Sequence, residues 1–374
     1  MLTAAESVAA AIFGIQIGTL CDRIDPDKTM LASNLIGAVS TAVLFALLYF
    51  HFISFISLIL LMLIIGIVTL GFDISRTGYT VALVPKNRIP HANSLIEGAN
   101  AVGEGIGPSI GGWIFQVAGA AFSLLFDFVS YIVSSLLVFI NIWSKKESGL
   151  YEQIIEEEQT DTSSDSDYRN GFSYVFSHGV IRSIALSAGQ FNFFTSAFFA
   201  VYYVFTIHNL HINATEVGLA ATFSGIAGIV SAAATGKIIF HLPSEPLYIY
   251  SLALPSIAAM FVSLSSLFTA QHFIVLISVC FSQFLWSFAV NVSIILGESI
   301  KQVITPENIL GQVSSAERMI ALIAEPIRAI AGGFCATIIG ETHTLYITVL
   351  GLGSSILWTL GKTGILSFKK PKEW

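Results

Sequence analysis

Eleven long apolar stretches divide this chain: residues 2–20, 30–49, 53–76, 93–117, 120–142, 184–206, 215–239, 246–268, 272–297, 312–339 and 343–361. Each approaches or exceeds the ~20 residues a helix needs to cross the hydrocarbon core of a bilayer. The pattern predicts an all-α, polytopic membrane protein. The polar connections fall into two sets. One set is 21–29, 77–92, 143–183, 240–245, 298–311 and the tail from Lys362. With the helix ends beside it, this set holds 16 of the 17 lysines and arginines. The other set (50–52, 118–119, 207–214, 269–271 and 340–342) holds none. Basic loops are retained on the cytoplasmic side, so the first set and the C-terminus are expected in the cytoplasm. An odd number of spans then places residue 1 outside.

Composition agrees with the pattern. The 374 residues are 54% apolar and 11% charged, against ~25% charged in a soluble domain, and mean hydropathy is +0.78. The net charge of −7 belongs to one segment. Residues 147–167 carry eight acids and no base, and the rest of the chain sums to +1. The acidity therefore implies no cationic partner. Residues 144–170 read as a disordered linker, with a surface helix expected over 171–181. Cys21, Cys280 and Cys335 lie far apart and show no metal spacing. Met1-Leu2-Thr3 lacks the positive start of a cleavable leader. There is no phosphate loop, metal-ligand cluster or nucleophile triad in the sequence. The expectation is a protein that is not an enzyme, holds no cofactor or metal, is not driven by ATP and binds no nucleic acid.

Two stretches carry the sharper chemistry. Gly103-Glu104-Gly105-Ile106-Gly107-Pro108-Ser109-Ile110-Gly111-Gly112 lies inside an apolar stretch. In water each Gly would cost a helix ~1 kcal/mol and Pro ~3 kcal/mol. In a membrane, neighbouring helices re-satisfy the backbone, and the glycines let a second helix come close. The other stretch begins with the close-packing pair Gly14 and Gly18 and runs through Asp22 and Arg23 to Lys28. Asp22 can face the positive N-terminal end of a neighbouring helix and the Arg23 cation, both of which favour a charged carboxylate. The competing reading is a plain basic loop. Asp73 and Arg76, three residues apart, can pair, with Arg76 read as a cytoplasmic anchor.

The two halves of the chain echo each other. Gly18 matches Gly236 and Pro108 matches Pro326 at an offset of 218, and Val84-Pro85-Lys86-Asn87 matches Thr305-Pro306-Glu307-Asn308 at 221. Such a parallel repeat fits two helix bundles of one design.

These features together resemble the major facilitator superfamily. Gly103-x3-Gly107-Pro108-x2-Gly111-Gly112, with Ser94 nine residues earlier, looks like the antiporter motif of its exporters. Gly18-x-Leu20-x-Asp22-Arg23 looks like its first cytoplasmic loop motif, although Pro26-Asp27 replaces the usual bases and leaves Lys28. Leu83–Leu95 and Pro306–Val313 are similar to loops of macrolide-efflux and siderophore-exporter permeases. The resemblance implies twelve helices in two bundles, with this chain starting at the second and holding eleven. An N-terminal bundle would occupy 1–143, the linker and surface helix 144–183, and a C-terminal bundle 184–374. In the family the Asp22-type contact latches the cytoplasmic side shut.

Several residues are candidates for the work of transport. Glu104 lies twelve residues past Ala92, ~18 Å into a ~30 Å core. It reads either as a proton-coupling or substrate-binding carboxylate or as a neutral acid bonded to a facing helix. Asp127 reads as dipole stabilisation or as a second coupling acid. Glu325 and Arg328 share a helix face and read as a self-neutralising pair or as a gate or proton relay, which makes them coupling candidates too. Gln190, Asn192, Phe194, Gln283, Trp286 and Asn291 are cavity-lining candidates by the resemblance, and aromatic walls suit lipophilic ligands. Asn213-Ala214-Thr215 reads as a helix cap or a glycosylation sequon. The resemblance implies a monomeric exporter of a small lipophilic, drug-like compound in exchange for protons, in a bacterial cell membrane. A non-transporting or truncated remnant or helper membrane protein, and an uncoupled facilitator or importer, remain as alternatives.

Overall fold

The computed structural model describes residues 2–147, 170–322, 332, 334–361 and 364–368, and among them there is no strand. The helices are α1 (Leu2–Arg23), α2 (Pro26–Tyr49), α3 (Phe55–Leu83), α4 (Ile89–Glu147), α5 (Asn170–Ser177), α6 (Gly179–His208), α7 (Ala214–His241), α8 (Ser244–Leu264), α9 (His272–Ile304), α10 (Leu310–Leu322) and α11 (Glu341–Ser354). Seven stretches among the described residues are long and apolar enough to cross a membrane, lying in α2, α3, the second arm of α4, and α6 to α9. The expected spans 2–20 and 93–117 fall in α1 and the first arm of α4, and 312–339 is only partly described. The protein is an all-α, multi-pass membrane protein. Leu137, Ile140, Phe273 and Leu350 are more than 60% exposed, as lipid-facing side chains should be.

Local chemistry sets the helix ends. Pro26 starts α2, where its missing N–H costs nothing. Asn213 caps α7: its Oδ1 accepts from the Glu216 N–H at 3.0 Å, and its own N–H donates to Glu216 Oε2 at 2.9 Å. α4 is two arms broken at Gly119, whose φ of +83° only glycine adopts without strain. Gly340, which precedes α11, has φ of +85°. It stands 221 residues after Gly119, so the repeat extends to backbone conformation. The Pro85 and Pro306 echoes behave alike, each opening a short 3-10 turn, Lys86–Arg88 and Glu307–Ile309.

The chain forms two compact units. The first comprises Met1–Leu83, Gly111–Tyr174 and Thr305–Met319; the second comprises Val84–Ile110, Val175–Ile304 and Ile320–Trp374. Each is discontinuous in sequence. In the first, α3 packs on α1 and α2, and the Tyr131 ring sits against Gly37. In the second, α9 packs on α7 and α8, and α11 on α6 and α8. Its core is aromatic and aliphatic, with Phe198, Val201, Tyr202, Phe205, Leu252 and Leu296 all buried.

Both units contain very close helix crossings. In the second, the first arm of α4 runs along α7 through small residues. A Cβ on Gly236 would lie 3.1 Å from Ser94 Oγ, and one on Gly98 would lie 3.3 Å from the Ala232 methyl. One on Gly228 would lie 2.6 Å from the Ala101 methyl, and Gly105 and Gly225 meet backbone to backbone. In the first unit, a Cβ on Gly18 would lie 2.9 Å from Ser315 Cβ and 2.7 Å from Gly311 O, while one on Gly14 would lie 2.9 Å from Met319 Cγ. Offsets of 218 and 221 turn the pair Gly18–Ser315 into Gly236–Ser94, and Gly14–Met319 into Ala232–Gly98. The crossings are equivalents in the repeat.

Three glycines do not behave as the spacing suggested. A Cβ on Gly103, Gly107 or Gly111 would meet no described residue within 4 Å. Close approach on α4 occurs instead at Gly98, Ala101 and Gly105, because those positions face α7. Replacement of Gly228 by Val should therefore wedge α4 from α7 and cost ~1–3 kcal/mol of stability, as overpacking does. Gly218→Ala, on the same helix with open space around it, should cost nothing or stabilise slightly. Thermal unfolding of the two purified variants checks this contrast.

Candidate functional site

The sharpest polar geometry in the first unit is at Asp22, two residues past the apolar stretch of α1. Its Oδ1 accepts the Gly311 N–H at 2.6 Å and its Oδ2 accepts the Gln312 N–H at 2.9 Å. These are first-turn amides of α10, which no carbonyl within the helix can satisfy. The carboxylate does from another helix what a capping side chain does from its own. Gly311 is required there, since a Cβ on it would lie 2.5 Å from Asp22 Oδ1. The expected partnership of Asp22 with a helix N-terminus is thus present.

Neighbouring contacts hold α1 in place. Cys21 Sγ lies 3.7 Å from Gly71 O and accepts from Ser75 Oγ at 3.4 Å, tying α1 to α3. Burial pushes the Cys21 thiol up to about 11, so it remains a neutral thiol. Lys28 pairs with Asp25. On α3, Asp73 accepts from Arg318 of α10 at 2.9 Å and lies 3.5 Å from Arg76. The i, i+3 pairing of Asp73 with Arg76 was legible in the sequence, but the shorter bond to Arg318 was not. No spacing rule connects residues 245 apart. α5 also reaches the site: a Cβ on Gly171 would lie 2.6 Å from Gln312 O.

Burial pushes the Asp22 carboxyl up from 3.8 to about 7, against the pull of the Gly311 and Gln312 N–H groups and the Gln312 side chain. The raised value means that this contact favours the protonated form. Its contribution is complete below the ordinary carboxylate pKa and is lost as pH rises through about 7.

The other candidates are dispersed. Glu104 is exposed, with no hydrogen bond or ion pair to a described residue. A facing-helix partner for it is therefore not found among them. Asp127 is exposed in the second arm of α4. Glu325 and Arg328 lie outside the described residues, as do the side chains of Pro108 and Gly112. Gln190 staples α6 to α11, donating to Gly351 O at 3.0 Å and Ser354 Oγ at 2.7 Å and accepting from Trp358 Nε1 at 2.6 Å. Phe194 packs its ring on Gly351. Trp286 is buried against Phe191, Phe198 and Phe199. Asn291 donates to Ser287 O of its own helix. Asn192 and Gln283 are half-buried. In the second unit a buried neutral cluster joins α4 to α9, with Asn93 Nδ2 donating to Ser299 Oγ at 2.9 Å and Gln302 Oε1 at 3.0 Å.

Residues 1–324 match the sequence model of the Major Facilitator Superfamily. The chain belongs to this superfamily. Solved structures of similar fold agree with this assignment. A bacterial homologue of the iron transporter ferroportin, in an outward-facing state, aligns with TM-score 0.73 at 17% identity, over 96% of this chain and 88% of that one. The human organic anion transporter MFSD10 aligns at 0.72 and 15% identity, over 96% and 82%. The proton:xylose symporter XylE, bound to 6-bromo-6-deoxy-D-glucose, aligns at 0.67 and 13% identity, over 95% and 84%. At these identities the likeness is one of fold. A search of curated proteins gives no significant sequence match. Members of this superfamily are transporters of small molecules, not enzymes, and this protein is a membrane-embedded transporter by family.

Two titrations test the site. Difference infrared spectroscopy of the wild-type protein, referenced to Asp22→Asn, should show a carboxyl titrating near pH 7. Gly171→Val should drive Gln312 off its place, let water reach Asp22 and bring that midpoint down toward the ordinary carboxylate value.

Proposed function

We propose that this protein exports a small lipophilic compound from a bacterial cell in exchange for protons, as a monomer. The observation that carries the reading is the Asp22 carboxylate on the first turn of α10, inside a stretch that resembles the loop motif of exporters. Such a contact is a reversible latch. It closes the face expected to be cytoplasmic while Thr305–Met319 belongs to the first unit, and it opens when that segment leaves. A ligand shifts such an equilibrium only by its differential affinity for the two states. Protonation qualifies, because Asp22 holds its proton more tightly in the closed state.

The glycine–proline stretch of α4 supports exchange over uncoupled passage. It resembles the antiporter motif, and it carries Glu104 on an exposed part of the helix. A carboxyl there exchanges protons with whatever solvent or substrate reaches it. Drug or macrolide-like compounds are the substrates this reading favours, with antibiotic resistance as the cellular consequence.

The test is transport by the purified protein in liposomes carrying an imposed pH gradient, with lipophilic amines and macrocyclic lactones as substrates. Gradient-driven movement of at least one of them is expected. Glu104→Gln should abolish the dependence on the gradient while downhill exchange of the same compound continues. Full gradient-driven transport by Glu104→Gln would remove Glu104 from the coupling mechanism, and no gradient-driven movement of any compound by the wild type would remove the antiport reading.

A further inference from the structure

In the second unit α7 and α8 both pack on α9, and a cleft of about 60 Å³ stays open between them. Thr235 and Ile238 of α7 form one wall, Tyr250 and Ser251 of α8 the other, and Ala289 and Val292 of α9 the floor. We infer that this cleft is a binding site for an anionic phospholipid, with one acyl chain filling the cleft and the phosphate lying against Lys237. The inference needs only a membrane-embedded protein and is independent of the export reading.

The repeat sets this cleft apart from ordinary packing. Offsets of 218 and 221 turn Ile17, Ser33 and Gly71 of the first unit into Thr235, Ser251 and Val292. In the first unit the three positions meet: a Cβ on Gly71 would lie 3.3 Å from Ser33 Oγ and 3.7 Å from Ile17 Cγ2. With no side chain at 71, α1 and α2 close over α3. In the second unit Val292 puts a branched side chain at that place, and the cleft stays open.

The lining selects hydrocarbon. Thr235 and Ser251 each spend their hydroxyl hydrogen on their own helix. Thr235 Oγ1 donates to Ser231 O at 2.6 Å, and Ser251 Oγ donates to Tyr248 O at 2.8 Å. The volume exceeds the ~10–15 Å³ that one water needs, but a water also needs two to four polar partners, and a cavity without them takes up apolar groups instead. Inside a bilayer the apolar group at hand is an acyl chain.

Charge at the mouth selects the headgroup. Lys237 stands beside Ile238 near the end of α7, exposed, and its ammonium has no ion pair or hydrogen bond to a described residue. It flanks a connection expected on the cytoplasmic side. His241 is exposed one turn further on, its Nδ1 3.0 Å from Lys237 O. Tyr250 is 65% exposed, and such amphipathic rings lie at headgroup level. Glu245, in the first turn of α8, has its Oε2 buried, which turns that oxygen inward. A lysine lays its stem along apolar surface and carries its ammonium to the phosphates. Such an ammonium favours a headgroup of net negative charge over a zwitterion, whose own amine competes for the phosphate.

Native mass spectrometry tests this on the full chain, released from nanodiscs of equal phosphatidylglycerol and phosphatidylethanolamine. One lipid should remain bound, with phosphatidylglycerol favoured ~fivefold, the preference one lysine at a membrane surface supplies. Lys237→Gln should bring the two lipids to parity while one lipid stays bound, and Lys86→Gln, on another connection, should keep the preference. Ala289→Leu should fill the floor and lower retention of both lipids. Leu254→Trp, at a half-buried position lining the same cleft, should do the same and serves if Ala289→Leu does not fold. Equal retention of the two lipids by the wild type, or an undiminished preference in Lys237→Gln, would overturn the assignment of the headgroup. Full retention in both filling variants would overturn the cleft as the site, and so would a bound mass that is not a phospholipid.

Discussion

Helices surrounded by lipid gain nothing from the hydrophobic effect by touching each other, so what holds them is how close their backbones can come. Glycine and alanine at the crossings remove the side chains that would keep two helices apart. Ser94, Gly98, Ala101 and Gly105 do this for α4 against α7, and Gly14, Gly18 and Gly311 do it for α1 against α10. Everything polar in the candidate site depends on the second of these approaches. Asp22 reaches the Gly311 amide only because neither Gly18 nor Gly311 has a side chain to hold α1 and α10 apart.

The same constraint explains why charge gathers where it does. A carboxylate within a helical membrane protein needs donors that the membrane does not supply, and the unsatisfied amides at a helix start are ready-made ones. Asp22 takes those of α10. Asp73 takes guanidinium groups from its own helix and from α10, so two carboxylates on two helices converge on one short segment, Thr305–Met319. α5, the helix that follows the acidic linker, touches that segment at Gly171 and Gln312.

Repetition with altered chemistry gives the molecule its asymmetry. The turn glycines 119 and 340, the proline-led turns at 85 and 306, and the two crossings all obey the repeat. The charges do not. Phe240, Glu97 and Ile294 stand at the places of Asp22, Arg318 and Asp73. Among the described residues none lies within 4 Å of a Cβ on Gly103, Gly107 or Gly111, and Glu104 is exposed among them.

Much of the architecture was legible because bilayer physics writes itself into composition. Runs of ~20 apolar residues, basic loops and turn glycines are local signals, and they located the helices, the break near 119 and the repeat. The Asp22 partnership was also foreseeable in kind, since an acid after a close-packing glycine pair has few destinations. Its particular donors, Gly311 and Gln312, could not be read, and neither could the Asp73–Arg318 bond or the Gly171 contact. These join residues up to 290 positions apart, and only packing selects them. Tertiary structure also decided which glycines matter. The run from Gly103 to Gly112 stands out in sequence, but helix rotation turns Gly98, Ala101 and Gly105 toward α7 and leaves Gly103, Gly107 and Gly111 clear of any described neighbour. The partners of the aromatic and amide residues expected to line a cavity could not be read from the sequence either. Gln190 and Trp286 find partners inside the helix packing, and the identity of a side chain does not say which way its helix face will turn.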